Sequence, residues 1–133
     1  MTIFGAIGVA GSGMSVTRRW LDAISDNIAN SSTVTSTSED AFRARYVVAQ
    51  ELTGGDGGVR VAGVVFGDAQ GRVVHEPGHP LADEDGYVRY PDVDMASQMT
   101  SLIMAQRGYQ ANAAVVSRAT ESYQAALQIG RNS

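Results

Sequence analysis

The 133-residue chain contains no cysteine. That excludes a disulfide framework, a thiol nucleophile and the cysteine-rich zinc sites. Lysine is absent as well. All ten basic residues are arginine, and they are scattered, so no basic patch marks a nucleic-acid partner. Net charge is −4. There are only three prolines, and none lies beyond Pro91. No apolar run approaches the roughly 20 residues that cross a bilayer. The first ionised side chain is Arg18, so the apolar start from Thr2 to Thr17 has no basic leader before it. Neither a cleaved signal peptide nor membrane insertion is expected. At 44% hydrophobic residues the chain does not have the composition of a disordered protein.

What is present begins with the last third, Asp92 to Arg131. Apolar or small residues recur there at alternating steps of three and four: Met95, Met99, Leu102, Gln106, Tyr109, Ala113, Val116, Thr120, Tyr123, Leu127. A mean step of 3.5 is the seam of a coiled coil. Asp92 and Asp94 suit a helix N-terminus, and Gly130 reads as a stop. Between Met95 and Ile129 the only charged residues are Arg107, Arg118 and Glu121. A helix so poor in charge on its outer faces is predicted to be buried on several sides.

The N-terminal stretch carries a matching row: Ile3, Ile7, Ala10, Met14, Thr17, Leu21, Ile24, Ile28. Two rows of equal period at opposite ends of one chain predict that the helices pair. Gly5, Gly8, Gly11 and Gly13 weaken the first turns, each by about 0.5–1 kcal/mol relative to alanine. Those turns are expected to become ordered by packing. The polar run Asn30 to Asp40 then reads as a loop. Residues 42–52, 59–66, 72–75 and 87–90 read as short β-strands of a small meander, separated by glycine-rich turns at Gly54–Gly58 and Asp68–Gly71. The fold class is therefore α+β. Long N- and C-terminal helices pair as a coiled coil (residues 1–30 and 92–133), and residues 31–91 form a loop and a small antiparallel β region.

The chemical motifs are weak. Gly8–Gly13 (GVAGSG) lacks the Lys-Ser/Thr pair of a phosphate loop. His75–His79 (HEPGH) has the letters of a zinc-hydrolase signature, but that signature needs a helix to bring both histidines to one face. Pro77 and Gly78 inside it and Pro80 after it oppose a helix. Asp83–Gly86 has its glycine at the wrong position for a calcium loop and reads as a turn. No serine sits in a nucleophile elbow, and both histidines share one loop. No enzyme activity, metal or cofactor is expected; a zinc hydrolase remains the alternative from a different class.

Pro80–Asp94 (PLADEDGYVRYPDVD), followed by Gln106–Asn112 (QRGYQAN), closely resembles the FlgC family of flagellar basal-body rod proteins. Asp26–Asn30 (DNIAN) resembles the N-terminal motif shared by rod, hook and hook-associated proteins, and Phe42–Val48 resembles the first strand after the loop. The resemblance implies that Asn27, Asn30, Arg107, Tyr109 and Asn112 are family-motif positions. It implies a structural subunit of the proximal rod, in the periplasm, exported through the flagellar type III apparatus without a cleaved signal. It also implies stacking with itself and other rod proteins around an export channel, near the MS ring. Another rod subunit is the near alternative. The expected assembly seam is Ile7, Met14, Leu21, Ile24 and Ile28 against Met95, Met99, Leu102, Tyr109, Val116, Tyr123 and Leu127.

Overall fold

The computed structural model describes residues 2–133. Helix α1 spans Ile3–Ala29 and helix α2 spans Met95–Arg131. At about 1.5 Å per residue they are roughly 40 and 56 Å long. Each has a side-chain cap. Thr2 Oγ1 accepts the Gly5 N–H at 3.0 Å, and Asp94 Oδ1 accepts the Ala96 N–H at 3.1 Å. These satisfy one of the donors that every helix start leaves free. Asn30 caps the far end of α1: its side chain donates to the Asp26 carbonyl at 2.9 Å. Gly130 does not stop α2, as the sequence suggested. The helix runs through it to Arg131 and is capped by Asn132.

The two helices lie antiparallel. Phe4 meets Tyr123 edge to face with ring centroids 5.2 Å apart. Gly13 faces Asn112, Gly108 faces Thr17, and Asn27 bonds to Gln98. Partner numbers add to 125 in the last three pairs. The line of α2 that turns inward is Gln98, Leu102, Ala105, Tyr109, Asn112, Val116 and Ala119, all buried or half-buried. It keeps the heptad steps of four and three. Gly13 explains why small and polar residues sit there. A methyl group on Gly13 would come within 2.8 Å of the Asn112 amide.

The β region is two separate two-stranded sheets, not the single meander read from the sequence. Strands β1 (Arg45–Glu51) and β2 (Val59–Phe66) form an antiparallel hairpin with a bulge at Val48/Ala49. The hairpin runs back along α1. Its tip touches the start of the helix: Ser12 Oγ accepts the Val59 N–H at 3.0 Å, and Gly5 leaves room for the Asp56 carboxylate. The Gly54–Gly58 turn, though largely exposed, thus rests against α1. Gly54, Gly55, Gly57 and Gly58 all hold positive φ, which disfavours any Cβ.

Strands β3 (Arg72–His75) and β4 (Tyr87–Tyr90) pair antiparallel at the other end, beside the start of α2. The loop after α1 clasps them through a Thr35–Arg89 bridge. The core is small. Among the described residues its apolar members are five alanines plus Ile24, Val88 and Pro91. A fully buried aliphatic side chain contributes about 1.5–3 kcal/mol, so the isolated chain has little with which to hold 64 helical residues.

Candidate assembly interface

The best-defined constellation is a polar clamp that joins three elements. Asn27 lies on the inner face of α1 and is only 1% exposed. Its Oδ1 accepts the Arg45 N–H at 2.7 Å. Its Nδ2 donates to the Arg45 carbonyl at 2.9 Å and to Gln98 Oε1 at 3.0 Å. One amide therefore ties α1 to the first residue of β1 and to the first turns of α2. Gln98 is itself buried. A buried polar group is tolerated only when it is satisfied, and here all three bonds are made. Next to the clamp, Arg45 bridges to Asp26 at 2.6 Å. Both side chains are about half exposed, so this ion pair contributes little.

Asn30, three residues on, closes the helix, and its Oδ1 accepts from the Thr33 hydroxyl at 3.3 Å. Asn112 donates to the Gly108 carbonyl at 2.9 Å and fills the space over Gly13. Tyr109 is half-buried on the inward line. Arg107 points away from it, exposed, and no carboxylate lies within salt-bridge distance among the described residues.

Away from this clamp the molecule shows apolar surface on nearly every side. Tyr46, Val48, Val65 and Phe66 stand out from the β1–β2 hairpin. Ile103, Met104, Val115 and Ile129 stand out from α2, Ile129 at 72% exposure. From residue 120 onward α2 is exposed on all faces. Monomeric proteins seldom leave so much apolar surface uncovered.

The expected seam divides into two groups. Ile7, Met14, Leu21, Ile24 and Ile28 of α1, with Leu102, Tyr109 and Val116 of α2, are buried or half-buried where the helices meet. Met95, Met99, Tyr123 and Leu127 are exposed in the single chain. Gln98, Ala105 and Ala119 occupy inward positions that the row of large residues passed over. A polar amide within an apolar row was the available signal for Gln98.

The HEPGH segment is not helical. His75 ends β3, and residues 76–80 form a turn. The His75 ring rests on Tyr87 with centroids 4.9 Å apart. His79 Nδ1 accepts the Leu81 N–H at 3.0 Å, and the Glu76 carboxylate accepts from the Tyr90 hydroxyl at 3.0 Å. That bond keeps the phenol protonated and raises its pKa. Among the described residues no three His, Cys, Asp or Glu side chains are placed to hold a metal. Asp83 instead organises its turn. Its Oδ1 accepts the N–H of Tyr87 at 2.8 Å and of Asp85 at 3.0 Å, and its Oδ2 accepts from the Thr37 hydroxyl at 2.8 Å. These bonds, the one from Tyr87 first, hold the carboxyl below its usual pKa.

No described helix is long and apolar enough to cross a membrane.

Comparison with known families falls on the two helices. Residues 7–35 match the model described as flagella basal body rod protein. Residues 84–129 match that of the flagellar basal body rod FlgEFG protein C-terminal region. These are the stretches that the Asn27–Gln98 bond joins, and they mark a rod-type axial protein. Relatives then narrow the class. The flagellar basal-body rod protein FlgC of Salmonella typhimurium is 35% identical over 134 residues, covering 98% of this chain and all of the relative. The FlgC of Yersinia enterocolitica is 37% identical with the same coverage. That of Borreliella burgdorferi is 30% identical over 149 residues, covering 97% of this chain and 98% of the relative. The chain belongs to the FlgC family of flagellar basal-body rod proteins.

Proposed function

We propose that the chain is a building block of the flagellar rod, polymerising with copies of itself and with other rod proteins. The carrying observation is the apolar surface left bare on well-formed elements of a chain with so small a core. Such surface suits a subunit whose folding is completed by its neighbours. The helices at residues 1–30 and 92–133 would form the polymer body, and residues 31–91 a smaller outer unit. The assembly seam is the row Ile7, Met14, Leu21, Ile24 and Ile28 with Met95, Met99, Leu102, Tyr109, Val116, Tyr123 and Leu127. Its exposed members, Met95, Met99, Tyr123 and Leu127, are left for contacts between subunits.

Family membership and the length of the helices support a finer reading. The subunit sits in the proximal rod, the periplasmic drive shaft, and surrounds the export channel near the MS ring. It is delivered by the flagellar type III apparatus without a cleaved signal. Its role is mechanical, not enzymatic. The test is a strain of the source bacterium that lacks the chromosomal gene and carries a tagged copy. The tagged chain should restore swimming and co-purify with detergent-extracted basal bodies, with its N-terminus intact by mass spectrometry. Recovery only in the soluble cytoplasm of swimming cells would refute this function.

A further inference from the structure

The β1–β2 hairpin is fastened to α1 at its two ends and stands off it in the middle. At the base, Asn27 holds the backbone of Arg45, and Asp26 holds its guanidinium. At the tip, Ser12 Oγ accepts the Val59 N–H at 3.0 Å and donates to the Val9 carbonyl at 2.6 Å. The Asp56 carboxylate lies over Gly5. Between these points a groove of about 500 Å³ opens between Val47, Val61 and Val64 of the hairpin and Arg19, Asp22 and Ala23 of the helix. Val64 is left 45% exposed.

Neither partner at the tip is strong alone. The first half of α1 holds Gly5, Gly8, Gly11 and Gly13, and its buried residues are small ones, Gly5 and Ala10. Phe4, which meets Tyr123, stays 65% exposed. The hairpin tip is a glycine turn on a ladder of only two strands. A lone two-stranded hairpin is marginally stable in water, and glycine loses more freedom on ordering than any other residue. The contacts that steady both segments, at Ser12 and Gly5, require both to be in place.

We infer that the hairpin is a strap, and that latching its tip and forming the first half of α1 are a single cooperative step. With the strap open, its base stays tied at Asn27 while residues 3–13 fray. With the strap closed, Ser12 and Gly5 are covered and those turns hold. Two segments that order one another are coupled reciprocally. A neighbouring molecule that steadied the hairpin from outside would thereby set the start of α1 without touching it. The coupling belongs to the single chain and does not depend on the rod reading.

The test uses the whole chain, dilute, with amide exchange followed by nuclear magnetic resonance. A Cβ at Gly8 or at Gly11 would meet nothing within 4 Å. Gly8→Ala and Gly11→Ala together therefore favour the helix about tenfold without touching the hairpin. The Val59 amide should slow by the same factor as the amides of residues 7–13. Adding Ser12→Ala should remove the effect at Val59. Helix amides that slow while Val59 does not would overturn the strap. A second variant closes the latch covalently. A Cβ on Gly58 would stand 3.5 Å from the Ser12 Cβ, within the range of about 3.5–4.5 Å found across disulfides. The chain has no cysteine of its own to interfere. Gly58 has φ +124°, which strains any side chain, so the comparison is between two forms of one variant. Oxidised Ser12→Cys/Gly58→Cys chain should exchange about tenfold or more slowly over residues 7–13 than the same chain reduced. Equal exchange in the two forms would also overturn the strap.

Discussion

Replacing Asn27 by alanine removes both partners of Arg45's backbone and the donor to Gln98 in one step. The N–H and carbonyl of Arg45 and the Gln98 amide oxygen all lose their bonds. A buried polar group left unsatisfied costs about 1–3 kcal/mol. The shorter side chain leaves room for water to restore part of that bonding, so the low end applies, and the sum is about 3–4 kcal/mol. A domain of this size has only about 5–15 kcal/mol in all. Gln98→Ala orphans one Asn27 N–H and should cost about 1–2 kcal/mol. Asn27→Ala should therefore lose about 1–3 kcal/mol more than Gln98→Ala. The assay is urea unfolding followed by far-ultraviolet circular dichroism, with the double variant closing the cycle. The double variant should fall short of the summed single losses, because the shared bond is counted twice. Equal losses for the two single variants, or an Asn27→Ala loss under about 0.5 kcal/mol, the range of ordinary surface changes, would refute the clamp.

Four further outcomes are expected. Val116→Asp puts a carboxylate on the inward line, and loss of Val116 packing with an unpaired charge should cost about 2–4 kcal/mol. Rod assembly should fail, whereas Thr53→Asp, exposed before the hairpin turn, should swim normally; an assembling Val116→Asp rod would contradict the seam. Gly71→Ala meets φ +59° and drives a methyl into the Tyr90 carbonyl oxygen. Left-handed backbone alone costs about 1–2 kcal/mol, so β3–β4 should lose amide-exchange protection while the helices keep theirs. The Asp83 carboxyl has a folded pKa below its unfolded one. Its support of the β3–β4 turn is complete above about pH 4 and is lost as pH falls through the lower folded value. Exchange at Tyr87 should rise on acidification, and Asp83→Asn should flatten that response. Finally, dilute monomer should show less than the 64 helical residues of the structure, with rapid exchange in residues 1–17 and 109–131. Slow exchange there would mean that the helices stand alone.

The sequence made both helices legible because their periodicity is long and because Pro91 and Asp94 mark the start of the second. Strands β2, β3 and β4 were readable from β-branched runs between glycine turns. The inward face of α2 was only half readable. A row drawn through bulky residues took in Met95, Met99, Tyr123 and Leu127, which the single chain exposes. Close helix approach at Gly13 favours small or hydrogen-bonded residues instead, so Gln98, Ala105, Asn112 and Ala119 turn inward. The place of the Gly54–Gly58 turn was hidden for a similar reason. Composition marks a turn as polar and flexible, but it does not show that Ser12 and Gly5 hold it against α1. Asn27 stood out by family resemblance alone; its physical role required knowing that Arg45 and Gln98 converge on it.

The antiparallel helix pair also sets the order in which the protein can fold. Phe4 packs on Tyr123 and Asn27 on Gln98, contacts that close loops of 119 and 71 residues. Closing such loops is entropically costly and slow, and no local hairpin can substitute for it. A chain emerging from a narrow conduit, whichever end leads, cannot complete the pair until nearly its whole length is free. Under the delivery proposed above it would therefore remain threadable for the whole of the passage. The surface on which the next subunit lands forms only after the last residues have arrived.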